Sequence, residues 1–522
     1  MSSSNSIIKG VYWTTILNVV NAVYGFISVP LLINHFGKSE YGIIGLAMSV
    51  NVYMQLMDLG FNSTNVRFFS SWLTSGLTDK VRKAFSTSLG FYGIVGLLNA
   101  IVLLVVLLHS SSLFNVDAAQ DRTLKSLLGI LMVSAIINWF TSCFEQLVKA
   151  TENVAWVQKY TLLPKLIQIL VLVATLTCNL SIQVYFLLTT FSLIAIIPFL
   201  IKKIQKDLPY ISFRPSINFP ILKEILPYCL NIFSFSIFQF SFYNLRPVFL
   251  GMQGTMESVA DYRILNGVIG IISMLGGAFT GVLLPSTSKV VAERNSDAYY
   301  RMAYDGTKYI SMLICFFCFA MMAVGSEVLT LYVGKEYLYL IPWFNVWLLC
   351  TLGTHNQAIS SLILAGSDIR AISYSSAVAS VVGLVLSWYL IPRYQIGGVV
   401  IGFVVYTMIQ MLFYYLYYWR QKMNIRSQRV FFYSFLPYVV SGLICTGLTS
   451  MFSSPVKALT QLMGLNLADK GGMFMVFVLK GILFTLFYAG CIYMLLTPTD
   501  RTFFKKLLHR KKTNTGKDAC QS

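Results

Sequence analysis

Long apolar stretches are the feature that most constrains how this 522-residue chain can fold. A helix that crosses a bilayer needs about 20 predominantly apolar residues, and the sequence contains about fourteen such stretches. Together they would take up more than half of the chain. A soluble catalytic domain needs about 100–150 residues, and no segment of that length remains. The sequence therefore predicts an all-α integral membrane protein whose chemistry takes place inside the helix bundle or at its rims.

The composition leads to the same fold class. Hydrophobic residues make up 56% of the chain and charged residues 11%, with a mean hydropathy of +0.68. Soluble domains contain roughly 45–50% apolar and about 25% charged residues. The predicted spans are residues 11–33, 42–65, 85–108, 126–148, 160–178, 182–201, 225–250, 262–285, 306–325, 342–365, 371–391, 397–418, 431–452 and 473–496. Only Asn179 to Ser181 separate the fifth span from the sixth, so the count depends most on that point.

Basic residues are distributed unevenly over the predicted loops. The net charge is +19, from 39 Lys and Arg against 20 Asp and Glu. With a cytoplasmic N-terminus and alternating spans, 29 of the 39 basic residues lie inside and eight outside, Lys480 among the latter. The other two, Arg246 and Arg263, lie near the outer ends of spans seven and eight. This asymmetry follows the positive-inside rule. It predicts an even number of spans and cytoplasmic termini. It also predicts that the basic residues contact membrane lipids rather than nucleic acid.

Prolines and basic residues mark residues 202–224 as a cytoplasmic linker between two halves. Each half opens with a polar-striped span, an outer turn with a tyrosine (Tyr41 or Tyr262), a second striped span and a basic inner loop. The halves are therefore predicted to be six-helix lobes related by a pseudo-two-fold axis along the membrane normal. The predicted divisions are an N-terminal lobe at 1–201, the linker, a C-terminal lobe at 225–420, two added spans at 421–496 and a basic cytoplasmic tail at 497–522.

Polar residues recur at helical spacing within some of the apolar spans. The stripes are Thr14, Asn18, Asn21, Gly25 and Ser28 in span one; Asn51, Gln55, Asp58, Asn62 and Asn65 in span two; Ser134, Asn138, Thr141 and Glu145 in span four; Asn231, Gln239, Tyr243 and Arg246 in span seven; and Arg263, Asn266, Gly270, Ser273, Gly277 and Thr280 in span eight. A water-filled cavity needs such stripes. Lines of small polar residues also pack membrane helices together, and that alternative stays open. Spans three, five, six, eleven and fourteen are nearly bare of stripes.

Two arginines are the candidate anion contacts. Arg246 and Arg263 belong to the stripes of spans seven and eight, and a guanidinium group donates paired hydrogen bonds to phosphate or carboxylate oxygens. The alternative is that both side chains snorkel to the outer interface.

Three carboxylates in or beside the predicted spans are the candidates for binding a coupling ion if the water-filled cavity serves transport: Asp58, Glu145 and Asp261. For Asp58 and Glu145 the alternative is an ion pair with Arg67 or Lys149 near the cytoplasmic rim.

Two segments carry motifs of a known family. Residues 30–70 contain Gly37-x-x-x-Tyr41-Gly42 and Asp58-x-Gly60, and residues 249–289 contain a tyrosine after the outer turn and Pro285-x-x-Ser288. With the hydropathy pattern, these motifs resemble the bacterial flippases of lipid-linked oligosaccharides, of the O-antigen and capsule type. Those flippases belong to the multidrug/oligosaccharidyl-lipid/polysaccharide exporter (MOP) superfamily. The chain departs from the family pattern in two places. Relatives often carry an acidic residue late in span seven, where this chain has Asn244-Leu-Arg246, and a small residue before the tyrosine, where this chain has Asp261.

The resemblance implies two six-helix lobes that open a central cationic cavity alternately to each side of the membrane. The implied activity is movement of an undecaprenyl-pyrophosphate-linked oligosaccharide from the inner to the outer leaflet, for O-antigen, capsule or exopolysaccharide assembly. Arg246 and Arg263 would contact the anion, and the sugars would be bound by Asn18, Asn21, Asn51, Gln55, Gln239 and Tyr243. The expected location is the bacterial inner membrane. Polymerase and chain-length proteins of the same pathway are expected partners, and no cofactor or metal is expected.

Other function classes remain open at this point. A drug or toxin exporter shares the two-lobe plan, and a cavity with more aromatic rings and carboxylates than arginines would indicate it. A polysaccharide polymerase or glycosyltransferase needs a large outer loop, whereas the predicted outer loops are short. If the chain were a structural membrane protein, we would expect no buried charges. Gly37-Lys38-Ser39 is not a phosphate-binding loop, because Leu32 stands where that loop needs a glycine.

Overall fold

The computed structural model describes residues 2–58, 60–292, 296–365, 370–467, 469–498 and 500. Helices account for nearly all of these residues, and no strand occurs among them. The chain divides into two compact units, unit 1 at 1–271 and 369–410 and unit 2 at 272–368 and 411–522. The all-α class predicted from the apolar stretches is confirmed. Most of the predicted basic tail, from residue 501 onward, lies outside the described residues.

The α-helices of the described chain are numbered α1 to α21. The first eleven are α1 (Ser2–Phe36), α2 (Lys38–Met54), α3 (Phe61–Thr74), α4 (Thr78–Leu108), α5 (Ser110–Leu113), α6 (Ala118–Ala150), α7 (Val154–Cys178), α8 (Ile182–Phe191), α9 (Ile197–Asp207), α10 (Phe219–Gln253) and α11 (Met256–Ala292). The others are α12 (Ser296–Ala323), α13 (Gly325–Tyr332), α14 (Ile341–Thr351), α15 (Gln357–Ala365), α16 (Arg370–Tyr394), α17 (Ile396–Leu412), α18 (Ser427–Arg429), α19 (Leu436–Met451), α20 (Ser453–Leu462) and α21 (Lys470–Leu495). Segments of 3-10 helix lie at Gln55–Asp58, Ser192–Ile196, Lys335–Leu340 and Leu352–Asn356, and π-helical segments at Phe413–Lys422 and Val430–Phe435.

Fewer spans are found than the sequence predicts. Among the described residues, 11 helical segments are long and apolar enough to cross a membrane, and a twelfth is counted if α2 and α3 form one bent span. The predicted count of fourteen is therefore not confirmed. Predicted spans seven and eight lie within α10 and α11, which do not belong to those segments. These helices have 35 and 37 residues, more than the about 20 that a bilayer requires.

The separation between predicted spans five and six is confirmed. Helix α7 ends at Cys178, and Asn179 has a left-handed φ of 51°. Helix α8 begins at Ile182, where the Ser181 hydroxyl accepts a hydrogen bond from the Val184 N–H group at 3.4 Å. A serine in this position satisfies one of the free N–H groups at a helix start. Two helices therefore replace what could have been read as one long apolar segment.

Predicted span two is broken in its second half. Helices α2 and α3 meet at an angle of 43° across the 3-10 segment and Gly60. Gly60 has a φ of 80°, which glycine adopts without the strain of a side chain. The Asp58 carboxylate accepts a hydrogen bond from the Asn62 backbone N–H group at 3.0 Å and so satisfies one of the free N–H groups in the first turn of α3. The predicted stripe of span two therefore does not follow one continuous helix face, because its register changes at this break.

The aromatic core of unit 1 holds α4 and α6 beside the break. Phe61, Phe85, Tyr92 and Trp139 are buried in one cluster with residues of α9 and the start of α10. The rings of Tyr92 and Trp139 stack with their centroids 5.4 Å apart. At Gly96, an added Cβ would lie 3.3 Å from the Ile136 backbone, so the two helices approach closely. This packing fixes the polar residues of α4 and α6 next to those of α2 and α3.

Candidate functional site

A polar cavity of about 370 Å³ lies in unit 1 beside the break between α2 and α3. We call it the amide cavity, after the side-chain amides that line it: Asn51, Gln55, Asn62, Asn99 and Asn138. Asp58, Ser142, Trp139, Phe233 and Phe240 also line it. Small-ligand pockets typically measure about 300–1,000 Å³. The amide cavity therefore combines the size of a ligand site with many hydrogen-bonding groups and a few aromatic rings.

A chain of hydrogen bonds ends on the Asp58 carboxylate. The Tyr92 hydroxyl donates to Asp58 Oδ1 at 2.7 Å, and Gln146 Nε2 donates to the Tyr92 hydroxyl at 2.8 Å. Asn65 Nδ2 in turn donates to Gln146 Oε1 at 2.8 Å. Tyr92, Gln146 and Asn65 are all fully buried. Buried polar chains of this kind hold each member in one orientation. The carboxylate is thus fixed at the cavity wall, where it can accept a hydrogen bond from a hydroxyl group or bind a cation.

Arg67 does not neutralise Asp58, contrary to the alternative considered from the sequence. The Arg67 guanidinium lies over the ring of Tyr228, 4.2 Å from its centroid. Both oxygens of Asp58 instead accept hydrogen bonds from neutral donors, the Tyr92 hydroxyl and the Asn62 N–H group.

The other two acidic candidates are ion-paired. Lys149 Nζ lies 2.7 Å from Glu145 Oε2, one helical turn along α6, as the alternative considered from the sequence allowed. Lys38 Nζ lies 2.8 Å from Asp261 Oδ1. Neither carboxylate lines the amide cavity, so Asp58 is the acidic candidate that the structure places there.

Arg246 is buried among aromatic rings rather than aligned with the exposed side chains of its predicted stripe. Its side chain is 2% exposed, whereas Tyr243 is 41% exposed and Gln239 is also exposed. The Arg246 Cζ atom lies 4.8, 5.0, 5.1 and 5.6 Å from the ring centroids of Phe403, Phe242, Tyr243 and Tyr262. A guanidinium over an aromatic face is stabilised by about 0.5–2 kcal/mol. Burial in the protein also rules out snorkelling of this side chain to an interface.

Arg263 lies where the start of α11 packs against α2. Its Nη1 atom donates to the Gly45 carbonyl oxygen at 3.2 Å, and an added Cβ at Gly45 would lie 2.4 Å from Arg263 Cδ. A Cβ at Gly42 would lie 2.0 Å from the Met256 carbonyl oxygen. Gly42 and Gly45 therefore allow α2 to approach the start of α11 and make room for this arginine. Neither Arg246 nor Arg263 lines the amide cavity.

The remaining predicted sugar-binding residues lie apart from the amide cavity. Asn18 and Asn21 are half-buried on α1, and Gln239 and Tyr243 are exposed on α10. None of them is among the residues that line it. The side chains of the predicted stripe residues Asn231, Gly277 and Thr280 lie outside the described residues. Of the predicted sugar-binding residues, the structure thus brings together Asn51 and Gln55.

The residues of the site that sequence reasoning missed include the polar residues Asn99, Tyr92 and Gln146. Asn99 and Tyr92 lie on α4, within predicted span three, which carries no stripe. Gln146 directly follows Glu145, but it points into the buried network whereas Glu145 pairs with Lys149. A single amide in an otherwise apolar span is a usable signal, since a buried polar group requires partners.

A buried ion pair in unit 2 was also missed. Lys480 Nζ lies 2.7 Å from Glu327 Oε1, and the two side chains are 6% and 4% exposed. Ser326 donates to the other Glu327 oxygen at 2.8 Å. The sequence count placed Lys480 among the basic residues of the outer side. It is instead buried within α21, because Glu327, which is 153 residues away, neutralises it.

Comparisons with known proteins identify a family and a fold. Residues 36–342, more than half of the chain, match the family described as "Polysaccharide biosynthesis protein". No protein of curated function matches the chain in sequence.

Solved structures similar to this chain include a flippase and two multidrug transporters. The lipid II flippase MurJ in an inward closed conformation has a TM-score of 0.65 and 14% identity, covering 92% of this chain and 98% of that one. An inward-facing multidrug resistance MATE family transporter of the MOP superfamily has a TM-score of 0.60 and 16% identity, covering 75% and 93%. The MATE multidrug transporter DinF-BH has a TM-score of 0.59 and 14% identity, covering 80% and 95%. At these identities the likeness shows a common fold.

Proposed function

The chain belongs to the polysaccharide biosynthesis protein family and has the fold of the MOP superfamily, and from this premise we propose that it is a flippase for a lipid-linked oligosaccharide. Its cargo is an undecaprenyl-pyrophosphate-linked repeat unit, moved from the inner to the outer leaflet by alternating access for O-antigen, capsule or exopolysaccharide assembly. The chain acts as a transporter rather than an enzyme. The bacterial inner membrane is the proposed location, and polymerase and chain-length proteins of the same pathway are the proposed partners.

The amide cavity is the observation that carries this proposal. Sugars are rich in hydroxyl groups, and an unsatisfied hydroxyl in an apolar setting costs several kcal/mol. Five side-chain amides can donate hydrogen bonds to such hydroxyls and accept hydrogen bonds from them. Each hydrogen bond typically contributes about 0.5–1.5 kcal/mol net. The rings of Trp139, Phe233 and Phe240 add apolar surface for the faces of the sugar rings. A glycan would thereby exchange water for protein hydrogen bonds while its lipid tail stays in the bilayer.

Complementation of a deletion strain tests the proposal. Loss of the gene should remove surface glycan and cause the lipid-linked precursor to accumulate, and the wild-type chain should reverse both changes. Asn99→Leu combined with Asn138→Leu removes two cavity amides, so we expect restored glycan to fall at least about fivefold. Gln205→Leu, at an exposed amide of α9, is the matched control and should restore it fully. Full restoration of surface glycan by the double variant at normal abundance would show that glycan transport does not depend on the amides of this cavity.

A drug exporter is the second candidate, and one observation favours it. The described lining of the amide cavity includes a carboxylate and three aromatic rings but no arginine, and this composition suits an organic cation. An exporter of this kind should lower the accumulation of a cationic dye in cells, and the effect should depend on Asp58. Dye export without any defect in surface glycan on deletion would favour this candidate over the flippase.

The orientation predicted from the basic residues is tested with reporter fusions. Fusions after Lys9, Lys206 and Lys512 should all report the cytoplasm, because 29 basic residues are assigned to that side. A fusion after Lys38 should report the opposite side. A periplasmic result at any of the first three sites would overturn the proposed orientation or the even span count.

The two arginines are tested with substitutions that preserve volume. If Arg246 and Arg263 contact the anionic part of the cargo, Arg246→Met and Arg263→Met should abolish surface glycan. Lysine should restore only part of it, because lysine lacks the paired donors of the guanidinium group. Methionine fills the buried space at Arg246, so protein abundance should hold and loss of charge is what the experiment reports. Normal surface glycan in both methionine variants would assign these arginines to packing alone.

A further inference from the structure

Unit 2 contains a large cavity that the proposed transport function does not use. It measures about 1790 Å³ and lies between α12, the π-helical segment Phe413–Lys422, the turn after that segment and the end of α21. We call it the inner basic cavity, because its five basic residues are among the 29 that the predicted orientation places on the cytoplasmic side: Arg301, Lys308, Arg420, Arg426 and Arg429. Two of its walls contain π-helical turns, which are rare and occur frequently at functional sites.

Tyr304 fixes the wall that carries two of these arginines. Its hydroxyl accepts a hydrogen bond from the backbone N–H group of Arg426 at 3.0 Å. Its backbone carbonyl oxygen accepts one from the Ser434 hydroxyl at 3.0 Å. The Arg429 guanidinium lies over the Tyr304 ring, 4.8 Å from its centroid. Asn424 adopts a left-handed φ of 52° at the turn. The positions of Arg426 and Arg429 are therefore set by specific contacts and not by a flexible loop alone.

The cavity already surrounds one anion, the carboxylate of Asp500. Lys308 Nζ lies 2.5 Å from Asp500 Oδ2, and the Tyr309 hydroxyl donates to Oδ1 at 2.9 Å. The Thr497 hydroxyl and N–H group donate to Oδ2 at 2.6 and 2.9 Å. Burial would raise the pKa of Asp500, but the hydrogen bonds from Lys308, Thr497 and Tyr309 lower it to about 2. The carboxylate is thus ionised at neutral pH, and Lys308 is neutralised within the protein.

Within the described residues, the four arginines have no such ion-pair partner. None of Arg301, Arg420, Arg426 and Arg429 forms an ion pair with another residue in the part of the chain that the structure describes. Asp305 is the further carboxylate among the described residues that line the cavity. Clustered like charges repel one another, so their arrangement around one cavity is stabilised when an external anion enters it. Guanidinium groups match the oxygens of phosphate with paired donors.

One rim of the cavity is apolar. Phe432 and Tyr433 are 56% and 73% exposed and lie beside Pro437 and Leu495 in the lining. Basic pockets next to apolar surface on the cytoplasmic side of membrane proteins bind the head groups of anionic lipids. The combination suits a ligand that joins a phosphate to an apolar part, although the arginines would also recognise a free phosphate.

We propose that the inner basic cavity binds a phosphate group, to which Arg301, Arg426 and Arg429 donate hydrogen bonds. The phosphate belongs either to a lipid head group of the cytoplasmic leaflet or to a free anion, and both share the same recognition chemistry. This site is separate from the amide cavity, which lies in unit 1. It therefore stands whether or not the cargo is a glycan.

Binding to the purified full chain tests the proposal with two probes. Inorganic pyrophosphate is titrated by calorimetry, and phosphatidylglycerol retention is measured by native mass spectrometry from nanodiscs of phosphatidylcholine with a minor fraction of phosphatidylglycerol. Arg426→Gln with Arg429→Gln should weaken binding of each probe that the wild-type chain binds at least tenfold. Arg82→Gln with Lys83→Gln removes the same charge from exposed positions of α4 and should change binding less than twofold. Arg426→Lys with Arg429→Lys should give intermediate affinity.

Each outcome decides between the sources or against the site. Binding of both probes shows that the phosphate group suffices, and binding of phosphatidylglycerol alone identifies a lipid head group. If neither probe binds, or if the control pair weakens binding as much as the arginine pair, the site does not exist. A further variant keeps the arginines and is expected to bind more tightly, so misfolding cannot explain its effect on binding. Asp500→Asn removes the resident anion and should tighten binding severalfold, and unchanged or weaker binding would contradict the proposed recognition.

Discussion

Asp58→Asn should reduce transport at least about tenfold while leaving the amount of folded protein unchanged. A hydrogen bond to a charged group contributes about 1.5–3 kcal/mol, and 1.4 kcal/mol corresponds to about a tenfold change. Asparagine keeps the shape of the side chain but offers an N–H group where Tyr92 and Asn62 now meet two acceptor oxygens. The side-chain oxygen of asparagine can still accept from the Asn62 backbone N–H group, so α3 should still form. The measurement is transport rate per folded protein.

The control for this prediction is another carboxylate of unit 1. Asp79 lies in the first turn of α4, with its side chain 80% exposed, and pairs with Arg82 at 3.0 Å. Asp79→Asn should leave transport unchanged. Tyr92→Phe removes one donor to Asp58 and should cause a smaller loss than Asp58→Asn. Wild-type transport by Asp58→Asn at normal abundance would show that Asp58 only supports the first turn of α3 and has no role in transport.

Lys480→Met should destabilise the protein by about 3–5 kcal/mol, because it leaves the Glu327 carboxylate buried without its counter-ion. For a unit of about 200 residues this corresponds to an unfolding temperature lowered by roughly 10 °C. Replacing both charges is often neutral, so Lys480→Met with Glu327→Gln should recover most of the loss. Thermal unfolding of the purified protein in detergent measures these differences.

Lys470 provides the matched control on the same helix. It is exposed at the start of α21, so Lys470→Met should change the unfolding temperature little. Equal effects of the Lys470 and Lys480 variants would contradict the assigned pair. A double variant that is no more stable than Lys480→Met would show that Glu327 is not what Lys480 stabilises.

The sequence predicted what depends on local spacing. Apolar length gave the membrane helices, and the polar rhythm of span two singled out Asn51, Gln55 and Asp58, which do line one cavity. The same rhythm did not reveal that Gly60 breaks the span, since a glycine within a helix pattern is often tolerated. The span therefore contributes to the cavity from two helices and a 3-10 turn rather than from one face.

Contacts between distant residues could not be predicted from one sequence. The network from Asn65 to Asp58 passes through Gln146 and Tyr92, which lie on two other helices. Arg246 belongs to a polar stripe by spacing, yet Phe403 and Tyr262 from α17 and α11 help to bury it. A helical rhythm gives the direction of a side chain but not the neighbour it meets, and for a buried charge the neighbour decides whether it binds a ligand or packs.

The most direct measurement is translocation of a fluorescent undecaprenyl-diphosphate-linked oligosaccharide by the purified chain in vesicles. A membrane-impermeant quencher reports which leaflet holds the label. Wild-type protein should move label from the protected leaflet to the leaflet that the quencher reaches. Translocation should be at least about tenfold slower with Asp58→Asn, and at least about fivefold slower with Asn99→Leu combined with Asn138→Leu. Asp79→Asn and Gln205→Leu should match the wild type. Translocation by wild-type protein no faster than in protein-free vesicles, together with export of a cationic dye by the same vesicles, would contradict the flippase proposal.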